Sequence, residues 1–143
     1  ARKNWLAGRF ILLAQQLQET GQECVFTVAP SEATEWTERL GGRFPLAQTP
    51  NVAALASLLT SARALVSNDS GAGHLASALG TPVVCVIPRR DADYAWRPGW
   101  GAVVLVSPVL PVRGLSRLWP YFVGVRRVRH SLESFLKTAT EIS

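Results

Sequence analysis

The residues of this chain whose types and spacing could do chemistry lie in one segment, Ser67-Asn-Asp-Ser-Gly-Ala-Gly-His-Leu-Ala-Ser-Ala-Leu-Gly-Thr-Pro82. An apolar run, Ala64 to Ser67, reads as a strand that delivers the chain to a loop of small residues. A short small-residue helix is expected from Leu75 to Leu79, ended by Gly80. Gly71 and Gly73 would let the backbone adopt positive φ and let a ligand approach closely. The first N–H groups of a helix have no internal partner, and with the helix dipole they form a site for phosphate. Ser70 adds a hydroxyl donor, and His74 can donate to an anion or contact a sugar. Asp69 falls at the carboxyl end of the strand, where open α/β sheets place their ligands. The same residues also fit a plain tight turn with Asp69 as N-cap and His74 packed inside.

The elements that must position this loop follow from periodicity. Leu6, Phe10, Leu13 and Leu17 recur at helical steps within Asn4 to Thr20, and Gly21 stands where a left-handed cap is wanted. Cys24 to Val28 and Phe44 to Ala47 read as short strands. Between them, Ser31 is a candidate cap for a helix carrying Trp36 and Leu40, which stops at Gly41-Gly42. Asn51 is the expected cap of a third helix with Val52, Leu55, Leu58, Leu59 and Ala62 on its apolar face. Val83 to Ile87 and Ala102 to Val106 are further strands, and Ser131 is expected to open a terminal helix with Leu132, Phe135 and Leu136 inward. The strands on either side of the loop are continuously apolar, as when helices cover both faces of a parallel sheet. Helix and strand alternate along the chain, which predicts an α/β fold, a Rossmann-like doubly wound parallel sheet.

Composition narrows the function classes. The 143 residues, 48% hydrophobic and 17% charged, fit a single domain and exclude disorder, collagen and coiled coil. The longest apolar runs, Phe10 to Ala14 and Pro82 to Pro88, are far below the ~18 residues that span a bilayer. Cys24 and Cys85 sit in apolar runs with no metal-ligand spacing around them, so they read as two buried thiols and no metal is expected. The chain has no methionine and begins Ala-Arg-Lys without a visible signal peptide, which suggests a piece of a longer protein.

Gly71-x-Gly73-x-x-Ala76 also fits the G-x-G-x-x-[GA] dinucleotide fingerprint. An NAD(P)-binding oxidoreductase domain is therefore the alternative reading. It wants an acidic residue about 20 positions further on. Asp91 and Asp93 come early, and an Asp directly before the loop is not part of that fingerprint.

Asp69-Ser-Gly-x-x-His74-Leu-Ala-x-Ala-Leu-Gly-x-Pro82 resembles the signature of glycosyltransferase family 9, which includes the ADP-heptose:lipopolysaccharide heptosyltransferases. Weaker similarity extends to Lys3-Asn-Trp5, to Ala29-Pro-Ser-Glu32, to Asn51 to Ala62 and to Val125 to Leu136. The chain departs from the family's pattern at Ala72, at Pro88-Arg-Arg90 and through Tyr94 to Tyr121. The resemblance implies the C-terminal half of a GT-B fold, with residues 1–143 forming one nucleotide-sugar (donor) binding domain and the N-terminal acceptor domain absent. It implies an inverting transfer of heptose from ADP-heptose, or of a related nucleotide sugar, to a lipopolysaccharide core acceptor, with no cofactor and no metal. By this resemblance Lys3, Asp69, Ser70, Gly71, Gly73 and His74 face the donor's diphosphate and sugar, Glu32 holds the ribose, and Pro50 and Asn51 pass the base. The general base would belong to the absent domain, so the chain alone should bind nucleotide without turnover.

The chain carries a net charge of +5, with Arg113, Arg117, Arg126, Arg127 and Arg129 crowded around Trp119, Tyr121 and Phe122. Basic residues between aromatics can bind single-stranded nucleic acid. The reading preferred here is a basic face turned to solvent, or peripheral contact with the anionic inner face of a bacterial inner membrane, in a cytoplasmic protein with no nucleic-acid partner.

Overall fold

The apolar run Val83–Val86 becomes the middle strand of a three-stranded parallel sheet in the computed structural model, which describes residues 4–88, 100–109 and 116–141. The strands are β1 (Leu65–Asn68), β2 (Val83–Val86) and β3 (Val103–Val106), in the order β1-β2-β3. Ser67 lies opposite Cys85, and Cys85 opposite Leu105. Side chains alternate across the pleat, so a strand buried on both faces must be apolar at every position. On one face, Val84, Val86 and Val106 pack against α1 (Ala7–Glu19) and α5 (Val125–Glu141). On the other, Val83, Cys85 and Ile87 pack with Leu59 of α3 (Val52–Ser61) and Ala76 of α4 (Gly71–Ala78). Helices on both faces of a parallel sheet make the doubly wound α/β arrangement that the alternating pattern predicts.

A third, smaller core joins Ile11 and Ala14 of α1 to Leu40, at the end of α2 (Ala33–Leu40), and to Phe44. Phe26 stacks against Trp36 and Phe44 there, each at a ring separation of 5.7 Å. The strands expected at Cys24 to Val28 and Phe44 to Ala47 shrink to one parallel bridge between Phe26 and Leu46. The Phe26 N–H donates to Pro45 O at 2.9 Å, and the Ala47 N–H donates to Phe26 O at 2.8 Å. Pro45 has no N–H to extend the ladder.

Several boundaries follow their expected chemistry. α1 ends in a Schellman motif: the Gln22 N–H donates to Leu17 O, the Gly21 N–H to Gln18 O, and Gly21 has φ +84°. Asn51 caps α3, its Oδ1 accepting from the Ala54 N–H at 2.8 Å. Others differ. Ser31 caps nothing; it lies inside a 3₁₀ turn, Pro30–Glu32, that leads into α2 without a side-chain cap. Ser131 does not open the last helix either. α5 begins at Val125, because Val125, Val128 and Leu132 form an apolar stripe between arginines, which are good helix formers. Ser131 then sits in mid-helix, its hydroxyl donating to Arg127 O at 3.2 Å.

Candidate functional site

β1 ends at Asn68, and the chain turns at Asp69-Ser70 into α4, which begins at Gly71 rather than at Leu75. Neither Gly71 nor Gly73 has the positive φ expected of them; both are helical, and the left-handed glycine of this unit is Gly80 at φ +82°. Neither a left-handed backbone nor the protein's own packing therefore requires a glycine at 71. Gly71 is exposed, and a Cβ built there would meet nothing within 4 Å. Ser70 is extended, and its carbonyl accepts from the Gly73 N–H at 3.1 Å and the His74 N–H at 3.3 Å. Among the described residues no side-chain cap is made; Ser70 and not Asp69 holds the cap position, and the N–H groups of Gly71 and Ala72 lie at the positive end of the dipole, ahead of the intrahelical ladder.

Asp69 and His74 meet across this turn. His74 Nε2 lies 3.6 Å from Asp69 Oδ1, an ion pair whenever the imidazole is protonated. Both side chains are partly exposed, so a ligand at the helix start can reach them. Beneath them, burial and the nearby Asp69 charge push the Cys85 thiol up to about 12, which keeps it protonated and inert. Burial also raises the half-buried Cys24. Ser67 Oγ is buried without a hydrogen-bond partner among the described residues.

Sequence reasoning missed Asn68. Its Oδ1 accepts the Trp5 N–H at 2.7 Å, tying the start of the described chain to the carboxyl end of β1. Trp5 is 2% exposed, and its indole Nε1–H donates to Val123 O at 2.9 Å. Arg9 donates to the same Val123 carbonyl and to Tyr121 O. The asparagine and the tryptophan lie 63 positions apart, so no local spacing announces the pair. Lys3 lies outside the described residues, two positions before Trp5.

The ribose and base candidates lie elsewhere along the chain. A small cleft of about 90 Å³ opens at the carboxyl end of the Phe26–Leu46 bridge, lined by Val28, Pro30, Ala33 and residues 46–50. Pro50 is part of its wall, and exposed Glu32 lies between two lining residues in the 3₁₀ turn. Thr27 and Thr49 share a hydroxyl hydrogen bond of 2.9 Å across the same strand ends. Asn51 spends its side-chain oxygen on the α3 cap. Asp91 and Asp93, the acidic candidates of the dinucleotide alternative, lie outside the described residues, as does Arg113.

The basic and aromatic cluster does not form a stacking platform of three rings. Trp119 is 3% exposed and belongs to the core. Arg127 donates to Ser107 O, and Arg129 contacts Gln16 and Glu133. Among the described residues there is no group of three metal-ligating side chains, and no helix is long and apolar enough to cross a membrane.

Comparison with known proteins adds to this geometry. The whole α/β arrangement resembles a glycosyl transferase family 9 structure from Veillonella parvula, with a TM-score of 0.78 at 18% identity over 96% of this chain and 43% of that one. It is equally similar to the E. coli ADP-heptose lps heptosyltransferase II, with a TM-score of 0.78 at 18% identity over 95% and 43% of the two chains. E. coli heptosyltransferase WaaC with ADP gives a TM-score of 0.69 at 20% identity over 92% of this chain and 39% of that one. The chain thus spans about two-fifths of the length of these proteins, and at such identities they establish the fold, that of one half of a GT-B glycosyltransferase. No curated protein matches it significantly. Residues 1–94, from the entry segment through the Asp69–His74 turn and β2, match the sequence family described as glycosyltransferase family 9 (heptosyltransferase), and the chain belongs to that family.

Proposed function

We propose that this chain is the donor-binding half of an inverting glycosyltransferase that uses ADP-heptose or a related nucleotide sugar. The observation that carries this reading is the uncapped start of α4 at the carboxyl end of β1, flanked by Asp69 and His74. A diphosphate seated there would accept from the N–H groups of Gly71 and Ala72 and from the Ser70 hydroxyl, with Gly73 inside the same first turn. In the transfer, an acceptor hydroxyl attacks the anomeric carbon and the nucleoside diphosphate departs. Its developing charge falls on groups that are already oriented, which is how a fixed site lowers a barrier. By the family resemblance Lys3 would contact the phosphates, His74 can donate a hydrogen bond at that end, and the reading calls for neither a cofactor nor a metal. In this reading Glu32 accepts from the ribose hydroxyls, and the base passes Pro50, which walls the small cleft, and Asn51.

The rest of the reaction belongs to a second domain. It supplies the general base and holds the acceptor, a lipopolysaccharide precursor, which sets the enzyme at the cytoplasmic face of a bacterial inner membrane. The E. coli heptosyltransferases of the same fold support this choice of donor and acceptor.

Calorimetric titration of the chain with ADP and with NADP tests the reading. ADP should bind, and Lys3→Ala should weaken it. Loss of one charge-assisted phosphate contact corresponds to about tenfold or more in affinity. Binding of NADP with no response to ADP would overturn the glycosyltransferase in favour of the dinucleotide-binding alternative. Silence to both would mean that this half does not hold the donor unaided.

A further inference from the structure

Asn68 ends β1, directly before Asp69 and the turn into α4. Val66 packs with the core that α1 and α5 cover, and Leu65 with the core that α3 and α4 cover. Side chains alternate along a strand, so Asn68 shares the face of Val66, on the side of α1. There its Oδ1 accepts the Trp5 N–H at 2.7 Å. The Trp5 ring is already placed, because it is buried and donates from Nε1 to Val123 O. Burial of a ring fixes where a residue sits but not which way its N–H turns. The bond to Asn68 fixes that direction. A peptide unit is planar, so an N–H held in one direction also holds the carbonyl of the residue before it, here Asn4, and with it the course of the chain upstream. Lys3 stands two positions before Trp5 in sequence.

We propose that Asn68 is a positioning residue for the donor's diphosphate, acting through the entry segment that carries Lys3 and touching no phosphate itself. It joins two parts of the site that are far apart in sequence. Its backbone runs on into the Asp69–Ser70 turn, and its carboxamide holds the segment whose lysine, in the donor reading, meets the same phosphates. Alanine at this position leaves the turn in place and frees the segment. The lysine must then be ordered when the ligand binds, an entropic cost that the asparagine removes beforehand. The inference rests on the donor reading above and deepens it.

Calorimetry of the chain with ADP and with adenosine tests it, together with hydrogen exchange at the Trp5 amide. Asn68→Ala should speed that exchange about fivefold or more. It should weaken ADP about fivefold, the order of one hydrogen bond, and leave adenosine, which has no phosphate, unchanged. In a chain that already carries Lys3→Ala, the same substitution should cost ADP nothing further, because no lysine is left to position. Asn68→Ser, with a side chain one atom shorter, carries the same expectations if the alanine variant does not fold. An equal loss for ADP and adenosine would reduce Asn68 to a structural stitch. An added loss on top of Lys3→Ala would mean that it acts on the phosphates by another route. Either result overturns the proposal, as does an unchanged ADP affinity or an unchanged Trp5 amide. A wild-type chain silent to ADP overturns it together with donor binding by this half alone. A wild type that binds ADP, with the wrong pattern among the variants, overturns the proposal and leaves the donor site standing.

Discussion

Cys85 is inert for a reason that can be measured. In the unfolded chain its thiol titrates near the ordinary 9.0, whereas in the fold it stays protonated to about 12. Above pH 9.0 the unfolded state therefore loses a proton that the native state keeps, and stability falls with rising pH. At about pH 10 the loss from this group alone is about 1.4 kcal/mol. Urea denaturation of wild type and Cys85→Ala at about pH 8 and about pH 10 should show a flatter alkaline limb in the variant, although its stability at neutral pH is lower from the cavity. Equal limbs in the two proteins would mean that the thiol ionises in the fold as it does outside. Cys85 and its burial were legible in the sequence, as was Asn51 in its cap. Asn68 was not, because its partner is Trp5, and a hydrogen bond across 63 residues leaves no periodic trace.

The turn from β1 into α4 shows how an element can be read correctly in its role and wrongly in its geometry. Asp69, Ser70, Gly71 and His74 do meet at a strand end and a helix start. Gly71 and Gly73 are helical, so no left-handed backbone explains them, and the missing Cβ of Gly71 leaves room at the helix start instead. Gly71→Ala separates these explanations. A helical position with open space gains about 0.5 kcal/mol from the lost freedom of the unfolded chain. The new methyl group stands at the uncapped end, so ADP affinity should fall about tenfold, ~1.4 kcal/mol. Thermal melts and ADP titration should thus move in opposite directions, and a variant weakened in both would restore the strained-turn account. α5 was misread for a related reason. Its basic first turns carry little apolar surface, and only the packing of Val125 and Val128 against β2 and β3 shows where the helix begins. The two N-terminal strands were overread, since Pro45 and exposed Val25 leave little for a ladder to hold.

The fold as a whole was the most legible part, because a strand that is apolar at every position can hardly be placed anywhere but inside a covered parallel sheet. The sequence could not tell how the outer layer closes. Trp5 lies in the same core as Leu132 of α5, and its ring meets Phe10 edge-on at 4.9 Å. Trp5→Ala should cost about 3–5 kcal/mol, a large share of what a domain of this size has. Chemical denaturation would show it as an early midpoint, and a loss below about 1 kcal/mol would mean that Arg9 alone holds Val123 in place.

The same stitch between Trp5 and Val123, 118 positions apart, has a consequence for how the chain is made. A ribosome releases α1 before the sheet strands, yet the face it covers stays open until Val123, just past the 3₁₀ helix Ser116–Phe122, and the first turns of α5 have emerged. Until then Leu13, Leu17 and the valines of β2 have no lid, and the half-made polypeptide offers chaperones a continuous apolar strip. Closure is a late event that waits for nearly the last residue of the core to be translated.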